Sequence, residues 1–473
     1  MKKILLIICF LFLAIRGYSQ QFSLYNTGTL FDSFENPSQR AFVPDTSKKY
    51  AFNFLVPNFD GNFFLTGNAQ ATLLSRAFGA KYDNSALQIG TGSLNRANAN
   101  ATVYTIMLKM FASLDGDEEI GFFTATKEEG RGAFTDESAA LFNGSSAFPG
   151  NIYDNVFNNH FYNQIYNTIG LTYREKLSSQ VAVGFKLGFL MGIDYTKLDT
   201  YESHISFDKT NDEATISLRG RYQYSKGPGS FDKNSFLPTS RSPGAQISFG
   251  ASYKTDDNIT FQGNIKDLGF IHWYGNSVIS NFDNTTTITG LSTPQREKNV
   301  YGGVYNLLKS NYEYSSFTSY TDGRFELSAT KSYYIDDDYK FKYIPTLVAS
   351  KELFYNGFTG AMVNRFQYLN YNVSVTGSYD NLNLFNVGLQ LMYKTHNGEV
   401  FIGSDRLIQS ASFLSSMLSE AAYSNSSYTG GDIYFGFAWK FGPVIEHPLN
   451  ANVIPTGDKG FLARLWNRLF KMF

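Results

Sequence analysis

A single cysteine, Cys9, occurs in 473 residues, and it sits close to the N-terminus. The body of the chain therefore has no disulfide and no cysteine metal site. Beyond the first residues no apolar stretch is long enough for a membrane helix, which needs about 20. A net charge of −1 gives no electrostatic case for nucleic acid. The five histidines, His160, His204, His272, His396 and His447, form no HExxH and no other metal-spaced cluster. No GxSxG elbow occurs. A membrane phospholipase uses Ser and His on a barrel wall, with His160 or His204 in that part, but lone histidines near loops are mostly surface residues. Asp115-Gly-Asp117-Glu-Glu and Asp336-Asp-Asp338 carry the oxygens that calcium takes, yet acidic turns are commonplace. The expectation is a non-enzymatic protein with no cofactor and no metal.

What is present begins with a secretory pattern. Lys2 and Lys3 precede the apolar run Ile4 to Ile15, and Gly17 and Ser19 supply small residues for cleavage before Gln20 or Gln21. The run is short for an anchoring span. Reading Cys9 as a lipid attachment site fails on the short run before it and on the bulk of Ile8. Residues 1–19 are thus expected to be a signal peptide.

Aromatic residues make up 17% of the chain, with 32 Tyr and 44 Phe. Hydrophobic residues reach 43% while the mean hydropathy is −0.23. A membrane β-barrel combines these properties, because its apolar residues are hidden in alternate positions and its tyrosines suit the membrane–water boundary. From about Tyr50 to Phe441, segments of about ten residues alternate and are separated by polar turns. In Ala245–Tyr253, Ile247, Phe249, Ala251 and Tyr253 share one face; Val181–Leu190, Asn383–Tyr393 and Ile433–Phe441 follow the same rule. Short turns fall at Leu177–Gln180, Asp256–Asn258, Asp336–Asp338 and His396–Gly398. Longer segments fall near Gly130–Asn159, Lys226–Arg241, Tyr274–Asp322 and Gln409–Gly430. Counting back from a last strand that ends in the periplasm, all four short turns lie on the periplasmic side and all four long segments outside.

The literal parse gives about 16 strands, with 14 as the rival and Met191–Asp194 as a break or a bulge. A β-helix would show a short fixed repeat, and none is found. A soluble sandwich leaves the uneven loops unexplained. The fold expected is all-β, a transmembrane antiparallel barrel over residues 50–441. Residues 20–49, with prolines in Asn36–Pro44 that argue against a central strand, form a luminal plug or a periplasmic segment.

Two features lie near the C-terminus. Gly436, Trp439 and Phe441 resemble the closing-strand signal by which outer-membrane barrels are recognised by the barrel assembly machinery. Residues 442–458 form a Pro-rich linker, and residues 459–473 an amphipathic helix expected in the periplasm. Phe461, Leu462, Leu465, Trp466, Leu469 and Phe470 lie on its apolar face, and Arg464, Arg468 and Lys471 on its basic one. Such a helix lies on a membrane surface, caps its own barrel, or docks in a translocon or other periplasmic partner.

The stretch Pro243 to Trp273, with a glycine-rich strand, a polar turn and Asp267-Leu-Gly-Phe-Ile-His-Trp273, resembles a group of uncharacterised Bacteroidota outer-membrane proteins. These look like relatives of fatty-acid-transporter-type barrels and of the barrel partners of type IX secretion. The resemblance implies an outer-membrane location, bilayer lipid as neighbour, a 14-strand barrel and an N-terminal plug, but no settled activity. With the basic tail it points first to an accessory or scaffold partner of a type IX-like export assembly. The alternative is a passive channel for hydrophobic small molecules, with an apolar pocket in the lumen and a lateral or plug-gated exit. A surface adhesin acting through Tyr274–Asp322 is a third, weaker reading.

Overall fold

The computed structural model describes residues 22–39, 48–79, 82–113, 116–225, 241–354, 357–380, 382, 384–419, 428–445 and 462. Residues 1–19, where a signal peptide is expected, lie outside them. So do residues 226–240 of the second long segment.

Alternation is the organising force. In Pro243–Lys254 the side chains of Ile247, Phe249 and Tyr253 are 46%, 50% and 47% exposed, while Gln246, Ser248 and Ser252 between them are 4%, 1% and 3% exposed. Large apolar groups face out and small polar ones face in, the reverse of a soluble protein and the pattern of a wall in lipid. Repeated around the chain, this closes a 14-strand antiparallel barrel.

The wall strands are β1, in two lengths, Lys48–Phe52 and Asn58–Thr66; β2, Leu94–Phe111; β3, Glu118–Thr135; β4, His160–Lys176; and β5, Val181–Asp208. Then come β6, Pro243–Lys254; β7, Ile259–Trp273; and β8, in the pieces Phe317–Tyr320, Arg324–Lys331 and Tyr333–Tyr334. The last are β9, Phe341–Glu352; β10, Phe358–Tyr368; β11, Tyr371–Asp380; β12, Phe385–Lys394; β13, Gly398–Ser404; and β14, Tyr428–Val444. Strand β14 pairs with β1, from Lys48↔Val444 to Thr66↔Tyr428, so no edge is left with unpaired amides.

One end of the barrel, the turn end, carries the short connections at 112–117, 177–180, 255–258, 335–340, 369–370 and 395–397, together with the start of β1 and the end of β14. The other, the loop end, carries the long ones, although 353–357 and 381–384 there are short. Aromatics ring both ends. Tyr50, Tyr253, Tyr368, Tyr371 and Trp439 point outward near the turns, and Phe270, Tyr320, Phe358, Tyr379 and Phe385 near the loops. Such rings sit at the two membrane–water interfaces.

The barrel has the 14 strands that the resemblance implies, and the literal parse into about 16 overcounts for a physical reason. Strand β5 does not end at the rim. Residues 181–191 pair with β6, while 196–208 continue beyond the wall and pair with the ribbon strand Glu213–Tyr224. That strand pairs with Val278–Thr289, which pairs with Tyr312–Tyr314. These runs alternate because one face packs on a hydrophobic core, not because they cross lipid. The break read at Met191–Asp194 is a bulge: opposite β4 the register slips past Ile193, and the strand continues.

Candidate functional site

Residues 22–39 lie inside the lumen and are almost wholly buried, so the N-terminal segment is a plug. Helix α1, Leu30–Glu35, starts where the Thr29 side chain accepts the Asp32 N–H at 3.2 Å. Its apolar face packs on the inner wall. The Phe31 ring meets those of Tyr104 and Phe401 at 5.6 and 5.9 Å between centroids, and Phe34 meets Phe123 at 5.5 Å.

Outside α1 the plug has only the 3-10 turn Phe22–Leu24 and a few turn bonds of its own, and its other buried amides and carbonyls require partners. Wall side chains supply them from around the circumference. Asp405 takes the Phe22 N–H at 3.1 Å, and Glu399 takes the Leu30 N–H. Asn264 takes the Ser38 N–H at 3.0 Å. Arg365 donates to the carbonyls of Tyr25 and Asn26 (3.3 and 2.9 Å), and Lys394 to those of Thr27 and Gly28 (2.8 and 3.0 Å). The plug is thus held by exchangeable polar contacts.

At the C-terminal end of α1 these contacts become a charge layer. Glu35 accepts the Tyr104 hydroxyl and lies 4.0 Å from Lys127 Nζ, 3.7 Å from Lys186 Nζ and 3.5 Å from an Arg324 nitrogen. Asp267 meets Lys127 and Lys186 at 2.7 and 3.4 Å; Glu326 meets Lys266 and Arg324 at 2.5 and 3.0 Å. The Pro243–Trp273 stretch explains part of this. Strand β7 alternates until Asp267, which has φ 51°, and its register against β6 slips between Ile265 and Leu268. The extra residue of the bulge turns both Lys266 and Asp267 inward, leaving Ile265 and Leu268 toward lipid.

A cavity of about 70 Å³ borders the layer, lined by Tyr25, Phe31, Asp32, Glu35, Lys266 and Arg324 among others. It has room for a few waters, whereas ligand pockets run from roughly 300 Å³ upward. The lumen is closed at this level. On its loop side lies an aromatic group, Tyr162, Tyr166, Leu190, Tyr195, Ile271 and Trp273, with Phe317 packed against it. The Trp273 indole N–H donates to Ser319 Oγ at 2.8 Å.

Above this the long loops interlock into a cap. Helix α2, Gln70–Gly79, belongs to the connection after β1; α3, Asp136–Leu141, to that after β3; and α4, Arg296–Leu308, to that after β7. Leu141, Phe148, Phe207, Phe282, Leu291 and Leu307 belong to the cap's common core. Arg76 on α2 forms a two-bond pair with Glu297 on α4 at 2.7 and 2.8 Å, and the Tyr82 hydroxyl donates to the same carboxylate. That pairing holds the Glu297 carboxyl below its ordinary range, first through the Arg76 hydrogen bonds. The connection after β13 carries a further helix, α5, Leu407–Ser419, whereas the described residues of 353–357 and 381–384 contribute none.

Besides the breaks in β8, the wall is interrupted in β1. Between the two lengths of β1, Phe54 and Leu55 adopt left-handed φ of 48° and 62° and project outward, 53% and 66% exposed. A left-handed residue other than glycine costs about 1–2 kcal/mol. Two asparagines replace the missing rungs. Asn53 accepts the Met107 N–H at 3.0 Å and donates to the Thr105 carbonyl at 3.1 Å, while Asn58 accepts the Phe437 N–H at 2.8 Å. Directly inside, Met107 and Tyr104 share a core cluster with Leu30, Phe31 and Phe34 of the plug.

Of the residues singled out in the sequence, Gly436 faces inward beneath Phe401: a Cβ there would lie 2.2 Å from Phe401 Cζ. Trp439 and Phe441 face outward at the turn end, and Phe441 stacks on Tyr50 at 5.4 Å. The tail residues Phe461, Arg464, Leu465, Trp466, Arg468, Leu469, Phe470 and Lys471 lie outside the described residues. Leu462 is described, and its N–H donates to Glu175 Oε2 at the turn end of β4 at 2.9 Å. His160 and His204 pair with Asp199 and Asp154 on the exposed rim. Asp117 pairs with Lys176, and Asp338 with Lys340. Among the described residues no group of three or more His, Cys, Asp or Glu side chains could hold a metal. The charge layer was not anticipated; its one local sign is Lys266-Asp267, two adjacent charges in an alternating strand.

An inward plug, an ion-paired lumen, a cap of long loops and a lipid-facing exterior define a plugged transmembrane β-barrel of the outer-membrane type. The chain belongs to DUF5723, a family of unknown function, whose model matches residues 41–405. None of the curated proteins matches the sequence. Among solved structures, the TodX ΔS2S3 mutant monoaromatic hydrocarbon channel is similar at 7% identity, covering 90% of this chain and 95% of that one, with a TM-score of 0.42. The Pseudomonas putida toluene transporter TodX is similar at 7% identity, 92% and 95% coverage and a TM-score of 0.34. A Pseudomonas aeruginosa FadL homologue is similar at 9% identity, 90% and 99% coverage and a TM-score of 0.30.

Proposed function

We propose that this chain is a plug-gated passive channel of the outer membrane for small hydrophobic molecules, with its turn end in the periplasm. The observation that carries the reading is the plug itself. Its described residues fill the lumen, and beside the apolar face of α1 it is held by hydrogen bonds and ion pairs that can be exchanged. The aromatic group under the cap offers an apolar guest a first resting place, since Tyr and Trp present large apolar faces. The interruption at Phe54–Pro57, backed by the apolar side of the plug, offers a route into the bilayer once α1 shifts. The scaffold reading rested on the family resemblance and the basic tail; of that tail Leu462 alone is described, and its N–H lies on Glu175 of the chain's own barrel.

The test is uptake of a radiolabelled monoaromatic alcohol into proteoliposomes. The intact protein should speed entry over protein-free vesicles, and Trp273→Ala with Tyr195→Ala should remove most of that gain. Equal entry with and without the protein defeats the proposal.

A further inference from the structure

Strand β13 stops short of the loop end. It pairs with residues 389–394 of β12 and 434–439 of β14 and ends at Ser404. Beyond it, among the described residues, no strand joins residues 385–388 of β12 to 428–433 of β14. The chain fills this gap with Asp405, Arg406 and α5. Where the next rung belongs, Ser410 Oγ accepts the Asp432 N–H at 2.9 Å and donates to the Asp432 carbonyl at 3.2 Å. The Asp405 N–H goes to the Asp432 side chain at 2.6 Å. Side-chain bonds thus stand in for a ladder, and α5 can lift without unzipping a strand.

Helix α5 is built inside out. Leu407, Ile408, Leu414 and Leu418 share one face at helical spacing, and all four are exposed. Gln409 and Ser416 on the opposite face are buried, and Phe413 packs on Phe63 at 4.9 Å between centroids. Apolar groups outward and polar ones inward repeat the rule of the strands, so α5 is a piece of wall standing in lipid.

Behind it lies a second cavity, of about 60 Å³, lined by Phe22 of the plug, Phe64, Asn386, Asp405 and Arg406 among others. The Arg406 guanidinium rests on the rings of Phe64 and Tyr428, at 4.6 and 5.7 Å. Arg406, Asn386 and Gln409, the last one helical turn on from Arg406, are 7%, 4% and 6% exposed. Among the described residues, Arg406 Nη1, Asn386 Oδ1 and Gln409 Oε1 have no hydrogen-bond partner. One buried donor and two buried acceptors left open together are costly, and they mark a missing guest.

We propose that they form a binding site for the hydroxyl head of an amphipathic molecule from the outer leaflet, entered through the gap that α5 closes. The hydroxyl oxygen accepts from Arg406, and its proton goes to Asn386 or Gln409. A carboxylate has no proton for either amide oxygen, and a bare hydrocarbon leaves all three groups open. The cavity holds the head alone, so the apolar body trails through the gap into the bilayer. For the onward path to the periplasm this inference rests on the channel reading; the site itself is tested apart from transport.

The full-length protein is reconstituted in phospholipid vesicles with a long-chain alcohol carrying a diazirine beside its hydroxyl. After irradiation, peptide mapping by mass spectrometry locates the adducts, and heat-modifiable gel mobility reports the folded barrel. Adducts are expected on Asn386, Arg406 or Gln409, and a diazirine alkane of equal length should give about tenfold fewer there. Asn386→Leu with Gln409→Leu should lower them about tenfold as well; should that pair not fold, Gln409→Leu alone should lower them severalfold. The proposal is overturned if adducts fall only on outward residues such as Ile408 and Leu418. It is equally overturned if the alkane labels the site as well as the alcohol does, or if folded variants label like the parent. Uptake of the same alcohol is measured separately: labelling without uptake upholds the site and removes the channel, and uptake without labelling does the reverse.

Discussion

Replacing Glu35 by glutamine changes one charge and almost no volume, and it does so where the plug meets the charge layer. The amide can still accept from Tyr104, so the substitution isolates the ionic part of the contact. In the parent, Glu35 stands within 4.0 Å of Lys127, Lys186 and Arg324. Without it, Asp267 still faces both lysines, and Glu326 still holds the guanidinium. Removing one partner from a buried ion pair costs about 3–5 kcal/mol. The remaining counter-charges argue for the lower end, about 3 kcal/mol. At about 1.4 kcal/mol per tenfold, the seated plug loses roughly 100-fold in its equilibrium against the displaced state. Planar-bilayer recording reads this directly. Glu35→Gln should open about 100 times as often as the parent, with the unit conductance of a variant lacking residues 22–39. A Glu35→Gln barrel as quiet as the parent, beside a conducting deletion, would refute the claim that this layer holds the gate.

Two further outcomes follow from the same coordinates. Gly436→Val should block folding of the purified barrel from urea into detergent, with no assembly machinery present, because its side chain enters the Phe401 ring; Phe401→Ala should restore much of the yield, and unimpaired folding of Gly436→Val would leave the residue to machinery recognition alone. The Arg76–Glu297 clasp should resist acid: a depressed carboxylate contributes above its ordinary pKa of about 4.3 and is lost as pH falls through the lower folded value. Cap cleavage by an acid-tolerant protease should therefore rise only below about pH 4, and in Arg76→Ala at a higher pH. Both side chains are over a third exposed, so a small effect is expected.

The wall was legible from Ile247, Phe249 and Tyr253 and their counterparts, because period two needs no knowledge of neighbours. The strand number, 14, came from the resemblance and not from the alternation. Glu213–Tyr224 and Val278–Thr289 alternate as the wall does, and alternation does not distinguish a lipid-facing sheet from one packed on a cap. The prolines at 37 and 44 said only that residues 20–49 hold no central strand; the burial of residues 22–39 depends on side chains hundreds of positions away. The charge layer was hidden for the same reason, since Glu35, Lys127, Lys186, Asp267 and Arg324 share no local pattern. Gly436 was noticed for its place before spaced aromatics, whereas its packing role involves Phe401, on another strand.

The plug has a consequence for the order in which this protein is built. Phe22 bonds to a residue 383 positions later, so the stretch that emerges first from synthesis settles only after almost everything else exists. Contacts of such separation are slow to form. Until then the closing cylinder holds a column of water, and Lys127, Lys186 and Arg324 face it one carboxylate short. The finished molecule passes through an unstoppered infancy, and whatever shepherds it into the membrane handles a hollow vessel.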